Sequence, residues 1–337
     1  MRRVFPTLAG RSSGSGPNLA PGHAPSSFRS GSPSSFSAGP PSGAKSLTIR
    51  LPFRKPFGGA ELLSFLTARA VAGIESTDGE VGTGSYERSL RLPHGNATCL
   101  LEFGSEAILA TLHLEDIRDM GSALHRCRRL LDLDSDPLAV IETLGEDPVL
   151  GRLVAKAPGL RVPGHVDGFE VVIRAIVGQQ VSVAGARTTL GKITHRYGRE
   201  LSSALNGRSP SLTHLFPTPE ALAEADPVTL GVPRSRGATI VRIAESFATG
   251  RIAAGIGADA DRTVADLLKE KGIGPWTATY VRLRAFGDPD CFLPTDLGVK
   301  HAFARLGLAN DHASIVAMSE SWRPWRSYAL MHLWNCL

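Results

Sequence analysis

The residues best placed to do chemistry lie between Thr263 and Lys300. The chain reads Leu267-Leu268-Lys269-Glu270-Lys271-Gly272-Ile273-Gly274-Pro275-Trp276-Thr277, then, one helix length on, Phe292-Leu293-Pro294-Thr295-Asp296. Thr263 and Asp266 have capping-box spacing, which predicts a helix from Thr263 to about Lys271. Gly272 stands where a helix C-terminus favours positive φ. Gly274, without a Cβ, lets a ligand approach the backbone. Pro275 suits the first turn of a second helix that runs to about Arg284, with Ile273 tucked between the two. Such a turn presents free backbone N–H groups ahead of a helix N-terminus, a donor site for one phosphate oxygen. A plain αα-hairpin is the alternative. Downstream, Asp296 offers a single carboxylate at the start of an expected helix, 296–306. A fixed carboxylate stabilises positive charge developing on a sugar as its bond to a base breaks. Capping that helix is the alternative role, and the helix N-terminus favours the negative charge in either case.

Trp276 and Tyr280 are spaced i, i+4 and share a helix face. Electron-rich rings attract cations, and a purine methylated at N3 or N7 is a cation. An aromatic cleft therefore suits alkylated bases; a pair of core rings is the alternative.

Several further motifs occur in order along the chain. They are Phe65-Leu66-Thr67-Ala68-Arg69-Ala70, Tyr86-Glu87-Arg88-Ser89-Leu90, Pro158-Gly159-Leu160-Arg161-Val162-Pro163-Gly164, Gly168-Phe169-Glu170, Ala175-Ile176-Val177-Gly178-Gln179-Gln180-Val181-Ser182-Val183 and Trp322-Arg323-Pro324-Trp325-Arg326-Ser327-Tyr328-Ala329-Leu330. With the hairpin, they resemble the helix–hairpin–helix DNA glycosylases of the bacterial DNA-3-methyladenine glycosylase II type, from Leu47 to Leu337. The resemblance implies a monofunctional enzyme that excises alkylated bases from double-stranded DNA. It implies Asp296 as the catalytic residue, and Trp276, Tyr280, Trp334 and Phe65 as walls of the base pocket. Gln180 corresponds to the wedge that fills the gap left by the flipped base, a leucine in some relatives; a surface polar residue is the alternative. Gly272, Gly274 and Thr277 form the phosphate site. The carbonyls of Leu268, Glu270 and Ile273 could hold a monovalent cation; no other cofactor is implied. Two departures stand out. Asp296 is followed by Leu297-Gly298, where an aromatic and a leucine can stand, so Gly298 is expected to leave one pocket wall open. The turn is Lys271-Gly272 where many relatives have Pro-Gly. The rival functions are a bifunctional glycosylase/lyase on oxidised bases and a non-catalytic binder of damaged DNA. Lyase relatives carry a nucleophilic lysine where this chain has Trp276.

Composition narrows the field. Cys99, Cys127, Cys291 and Cys336 form no CxxC pair, and none of the ten histidines forms HExxH. That spacing points away from structural zinc, an iron–sulfur loop and metal-assisted hydrolysis, and toward a reduced cytoplasmic compartment. Some relatives carry a methyltransferase module in front; no cysteine precedes Cys99, so its thiols are not found here. The net charge of +5 arises from Arg2, Arg3, Arg11, Arg29 and Lys45, because residues 1–45 hold no acid. Without these five, the chain carries 32 basic and 32 acidic residues. A DNA-binding surface must then be a local basic face. No apolar run is long enough to span a membrane, and a monomer is expected.

The positioning elements follow an α+β plan. Residues 1–46 are a Ser/Gly/Pro-rich tail expected to be disordered; its acid-free composition also resembles an organellar transit peptide. Residues 47–136 read as a small domain with strands at 47–51, 86–92, 97–103 and 107–114, a helix at 60–70 and another at 116–131. Residues 137–337 are helical, with helices expected at 137–144, 148–155, 168–183, 184–197, 219–225, 234–248, 263–271, 275–284, 296–306 and 324–333. By resemblance they form two lobes, 168–289 and 137–167 with 290–337, with the cleft between them.

Overall fold

The computed structural model describes residues 44–79, 84–205 and 209–337. The expected disordered tail lies outside the described residues except at its end, where Lys45 and Ser46 already belong to the first strand. The N-terminal domain is a five-stranded antiparallel sheet of order β1-β5-β4-β3-β2. Its strands are β1 (Lys45–Pro52), β2 (Glu75–Asp78), β3 (Ser85–Arg91), β4 (Asn96–Phe103) and β5 (Ala107–Leu114), with α1 (Gly59–Arg69) between β1 and β2. The register pairs Arg88 with Cys99 and Glu75 with Arg88 across adjacent strands. β2 was not expected: four residues of sequence Glu-Ser-Thr-Asp carry no apolar alternation, and pairing to β3 alone makes them a strand.

One face of the sheet packs under α1 and α2 (Met120–Leu130) around Leu62, Leu66, Leu101, Leu112 and Leu130. The other face meets the helical region. There Ser89 Oγ donates to the His214 carbonyl at 2.8 Å, and Thr98 Oγ1 to that of Leu205 at 3.2 Å. The loop Pro158–Gly164 is a joint. Its buried Arg161 donates to the carbonyls of Pro56 at 3.0 Å and Asp132 at 3.2 Å.

The helical part comprises α3 (Pro137–Gly145), α4 (Gly151–Lys156), α5 (Gly168–Gly178), α6 (Val183–Tyr197), α7 (Pro219–Ala223), α8 (Arg234–Ala248), α9 (Ala260–Lys269), α10 (Pro275–Val281), α11 (Leu297–Arg305), α12 (His312–Ser319) and α13 (Arg326–Asn335). Two apolar cores organise it. One joins α5, α6 and α8 to α10 through Val172, Ile176, Ile240, Leu267 and Val281. The other joins α3, α4 and α11 to α13 through Leu144, Leu150, Phe303, Trp322 and Leu330. Trp276 and Tyr280 of α10 pack against this second core, so the two bodies meet at α10.

Several boundaries differ from expectation. α9 starts at Ala260, not Thr263, because Asp259 caps it by accepting from Arg262 N at 2.9 Å. Thr263 is buried inside the helix and donates to the carbonyls of Ala253 and Asp259 at 2.6 and 2.7 Å. Asp is at least as good a cap as Thr, so the earlier start wins. The expected helix 168–183 stops at Gly178, since Ser182 caps a new helix by accepting from Gly185 N. α12 went unforeseen; its residues have almost no amphipathic pattern.

Candidate active site

The hairpin between α9 and α10 has the geometry its glycines imply at one position and a different one at the other. Gly272 has φ +94°, and an added Cβ would lie 2.4 Å from Thr239 Oγ1. Gly274 has φ −105°, which any residue adopts, and nothing lies within 4 Å of its Cβ position. The space over Gly274 is therefore open to solvent or a ligand. Ile273 is buried in the core that joins the two helices. Pro275 occupies the first turn of α10. The turn is anchored from behind by α8: Arg242 Nη2 donates to the Lys271 carbonyl at 2.7 Å, and Thr239 Oγ1 donates to it at 3.1 Å.

Thr277, expected at the phosphate, is buried, and its hydroxyl oxygen accepts from Gln179 Nε2 at 3.0 Å. Its side chain is thus turned inward, and only its backbone N–H remains for an anion. Gln180 is exposed and has φ +56°, left-handed for a non-glycine residue. It stands on the turn between α5 and α6, beside the hairpin.

Asp296 does cap α11: Oδ1 accepts from Val299 N at 3.1 Å. It does more than cap. Trp334 Nε1 donates to Oδ1 at 3.0 Å and Trp276 Nε1 donates to Oδ2 at 2.9 Å. A carboxylate has about four lone-pair positions. Among the described residues Oδ1 has two donors and Oδ2 one, so one position of Oδ2 stays open to them. Two indoles from α10 and α13 thus fix a carboxylate that is 8% exposed. Trp276 in turn stacks on Tyr280, with ring centroids 5.2 Å apart and planes 9° from parallel. Phe65 from α1 packs against the same cluster. The structure therefore brings together all five residues, Asp296, Trp276, Tyr280, Trp334 and Phe65, from four separate elements. Gly298, expected to leave a wall open, is buried in the first turn of α11; the exposed residue there is Leu297.

Comparisons with known proteins identify the family. Residues 48–167 match the AlkA N-terminal domain, and residues 173–327 match the HhH-GPD superfamily base excision DNA repair protein. DNA-3-methyladenine glycosylase 2 of Escherichia coli is 35% identical over 291 residues, 84% of this chain and 95% of that protein. The chain belongs to this glycosylase family. A Mycobacterium tuberculosis protein described as a "Probable bifunctional transcriptional activator/DNA repair enzyme AlkA" is 43% identical over 88% of this chain. The match covers 58% of that relative, so the chain spans little more than half its length. Among solved structures, a 3-methyladenine DNA-glycosylase from Archaeoglobus fulgidus aligns with a TM-score of 0.70 at 22% identity, covering 85% of this chain and 97% of that one. That likeness establishes the fold.

Three residues near the family's site went unnoticed in the sequence. Arg69 lies 3.7 Å over the Phe65 ring, and Arg284 lies 4.9 Å from it. Arg284 also donates to Tyr280 Oη at 2.8 Å and to the Gly164 carbonyl at 3.1 Å. It is turned inward where α10 gives way to a π-helical turn, Arg282–Phe286. Burial, reinforced by the neighbouring Arg284 charge, lowers the Arg69 pKa to about 10, with Tyr280 opposing. The signal was available: Arg69 is i+4 from Phe65, and Arg284 is i+4 from Tyr280. Phe65 and Tyr280 are thus already engaged by protein cations. The third residue, Gln179, carried no signal beyond its place beside Gln180. Among the described residues, no group of three His, Cys, Asp or Glu could hold a metal ion, and no helix is long and apolar enough to cross a membrane.

Proposed function

We propose that this chain is a monofunctional DNA glycosylase that excises alkylated bases, 3-methyladenine and 7-methylguanine-like cations, from double-stranded DNA. The observation that carries this is the Asp296 carboxylate, gripped by two indole N–H groups with one oxygen position left open. Backbone N–H groups over the open face of Gly274 hold one phosphate and set the strand in register. The target nucleotide swings out of the duplex, and Gln180 fills the gap it leaves. The base lies among the aromatic side chains, where a methylated cation gains from the ring quadrupoles and a neutral base does not. As the glycosidic bond lengthens, positive charge grows on the sugar and Asp296 stabilises it. Water completes hydrolysis. A cationic base is a good leaving group, so modest help suffices. The enzyme works as a monomer on DNA in the cytoplasm. A monovalent cation on the hairpin carbonyls of Leu268, Glu270 and Ile273 would reinforce the phosphate site.

The test is base release from a methylated duplex by the wild type and by Asp296→Asn. Asparagine caps a helix about as well as aspartate. Its carbonyl oxygen can still accept from Val299 and Trp334, while the substitution removes the charge and the acceptor for Trp276 Nε1. Release should fall by at least ~10², the order of one lost electrostatic stabiliser, while the damaged duplex is still bound. Near-wild-type release by the variant would leave Asp296 as a cap only. In the same assay the product should be an intact abasic strand, with no adduct trapped by borohydride, because indole at Trp276 cannot form a Schiff base.

A further inference from the structure

Gln179 sits between two parts of the proposed DNA-binding face. Its Nε2 donates to the Gly272 carbonyl at 3.1 Å and to Thr277 Oγ1 at 3.0 Å. Both acceptors belong to the hairpin: one is the glycine of its turn, the other lies in the first turn of α10. On its other side, Gln179 is bonded through the chain to Gln180, which holds φ +56°. Non-glycine residues take up that conformation at a free-energy cost and keep it only where their surroundings enforce it. Three constraints are visible. Gln179 N is the C-cap of α5, donating to the Ile176 carbonyl at 3.3 Å. Val181 N donates to the Gly178 carbonyl at 3.3 Å. Ser182 starts α6 by capping it. These fix the turn against its own two helices. Among the described residues, the side-chain hydrogen bonds that tie this turn to the hairpin are those of Gln179. Gln179 is itself partly buried with both amide hydrogens committed, so it is not free to enter a duplex; Gln180, exposed, is.

We infer that Gln179 is a positioning residue that locks the Gln180 turn onto the phosphate-gripping hairpin, so that grip and wedge move on the DNA as one rigid unit. Glycosidic cleavage in a duplex requires the wedge to enter at a fixed offset from the gripped phosphate. A turn that drifts relative to the hairpin would fill the gap late or out of register, and the base would return to the stack. A single strand has no stack to compete, so the offset is immaterial there.

The inference rests on the proposed wedge role of Gln180, and the experiment separates the two. Excision of one methylated base is measured in duplex and in single-stranded DNA for the wild type, Gln179→Met, Gln180→Ala and the double variant. Methionine keeps the length of glutamine and removes the donor. Gln179→Met should slow duplex excision about tenfold, the worth of a well-made hydrogen bond. It should leave single-strand excision and affinity for undamaged duplex within about twofold. Combined with Gln180→Ala, it should add nothing further, because the residue it positions is gone. Equal losses on both substrates, or a full additional loss in the double variant, would overturn the inference. If Gln180→Ala is selective for duplex and Gln179→Met is silent, the positioning role alone fails. If Gln180→Ala shows no duplex selectivity, the wedge itself fails and the positioning role falls with it.

Discussion

At the scale of single residues, the site turns on how an acid is held rather than on the acid alone. Asp296 is bonded by one backbone N–H and two indoles. On the proposed function the indoles also serve as aromatic surface, so removing either whole ring would mix two effects. Trp276→Phe separates them: it keeps a ring to stack on Tyr280 and deletes the one donor bonded to Oδ2 among the described residues. Bonds to charged groups are worth about 1.5–3 kcal/mol, and Oδ2 is the oxygen with an open position. We therefore expect kcat for base release at saturating damaged duplex to fall by about tenfold or more, with little change in DNA affinity. Trp334→Phe leaves Oδ1 bonded to Val299 N and should cost less. An unchanged kcat in Trp276→Phe would show that the carboxylate needs no indole to aim it. The sequence displayed Trp276, Trp334 and Asp296 but not the bonds between them. The three come from α10, α13 and the loop before α11, and only tertiary packing decides that two indole nitrogens turn toward one carboxylate.

At the scale of elements, the two hairpin glycines differ: one meets a steric demand of the fold, and the other leaves open the space that the proposed function gives to a phosphate. Gly272 has the left-handed conformation and no room for a Cβ beside Thr239 Oγ1. Gly272→Ala should destabilise the protein by about 1–3 kcal/mol through backbone strain and the clash. That appears as a lower melting temperature before any DNA is added. Gly274 has an ordinary φ and open space, so Gly274→Asp should leave the melting temperature unchanged. It should weaken binding to every DNA sequence alike, since phosphate contacts carry no base information. A gel-shift at moderate salt with unchanged affinity would remove the hairpin from the binding face. Elements with strong local signals were legible. β5 and α8 fall on the residues their periodicity indicates, Ala107–Leu114 and Arg234–Ala248, and Pro275 opens α10. Legibility failed where two local signals compete, as for Asp259 and Thr263 at the head of α9. It failed too where a segment is structured only by its neighbour, as for β2. The left-handed turn at Gln180 was invisible because its side chain gives no sign of it; a glycine there would have.

At the scale of the whole molecule, the aromatic cluster around Asp296 spans bodies with separate cores, since Phe65 comes from the N-terminal domain and Trp276 from the helical region. A buried charge cluster joins them. Arg88 of β3 donates to Glu170 of α5 at 2.8 Å and to Glu75 of β2 at 3.4 Å. Arg174 of α5 donates to Glu75 at 2.6 Å and to Glu170 at 2.5 Å. It also donates to the carbonyl of Arg69, the last residue of the helix that carries Phe65, at 3.2 Å. Tyr86 Oη and Val71 N complete the shell of Glu75 at 2.5 and 2.7 Å. His165 lies 3.5 Å from Glu170, but burial and the nearby arginines push its pKa well down, so it adds no charge at neutral pH. Two carboxylates thus face two guanidiniums. Arg88→Met keeps most of the volume and leaves one buried negative charge uncompensated. Breaking a buried pair in this way costs about 3–5 kcal/mol, so the variant should lose several degrees of melting temperature at pH 7. The pH dependence distinguishes lost charge from lost packing. Burial opposes ionisation of Glu75 and Glu170, but the two arginines outweigh it and hold both below the ordinary value of 4.5. A carboxylate with a depressed folded pKa stabilises the fold above its unfolded pKa and loses that contribution as pH falls through the folded pKa. In Arg88→Met the carboxylates share one guanidinium and protonate more readily. The stability gap between wild type and variant should therefore be widest near neutral pH and close as pH falls below about 4.5. Urea titrations of both proteins across that window give the measurement. A gap that stays constant with pH would mean Arg88 acts by packing, and the charge balance would not be what seats the wall carrying Phe65 against α10.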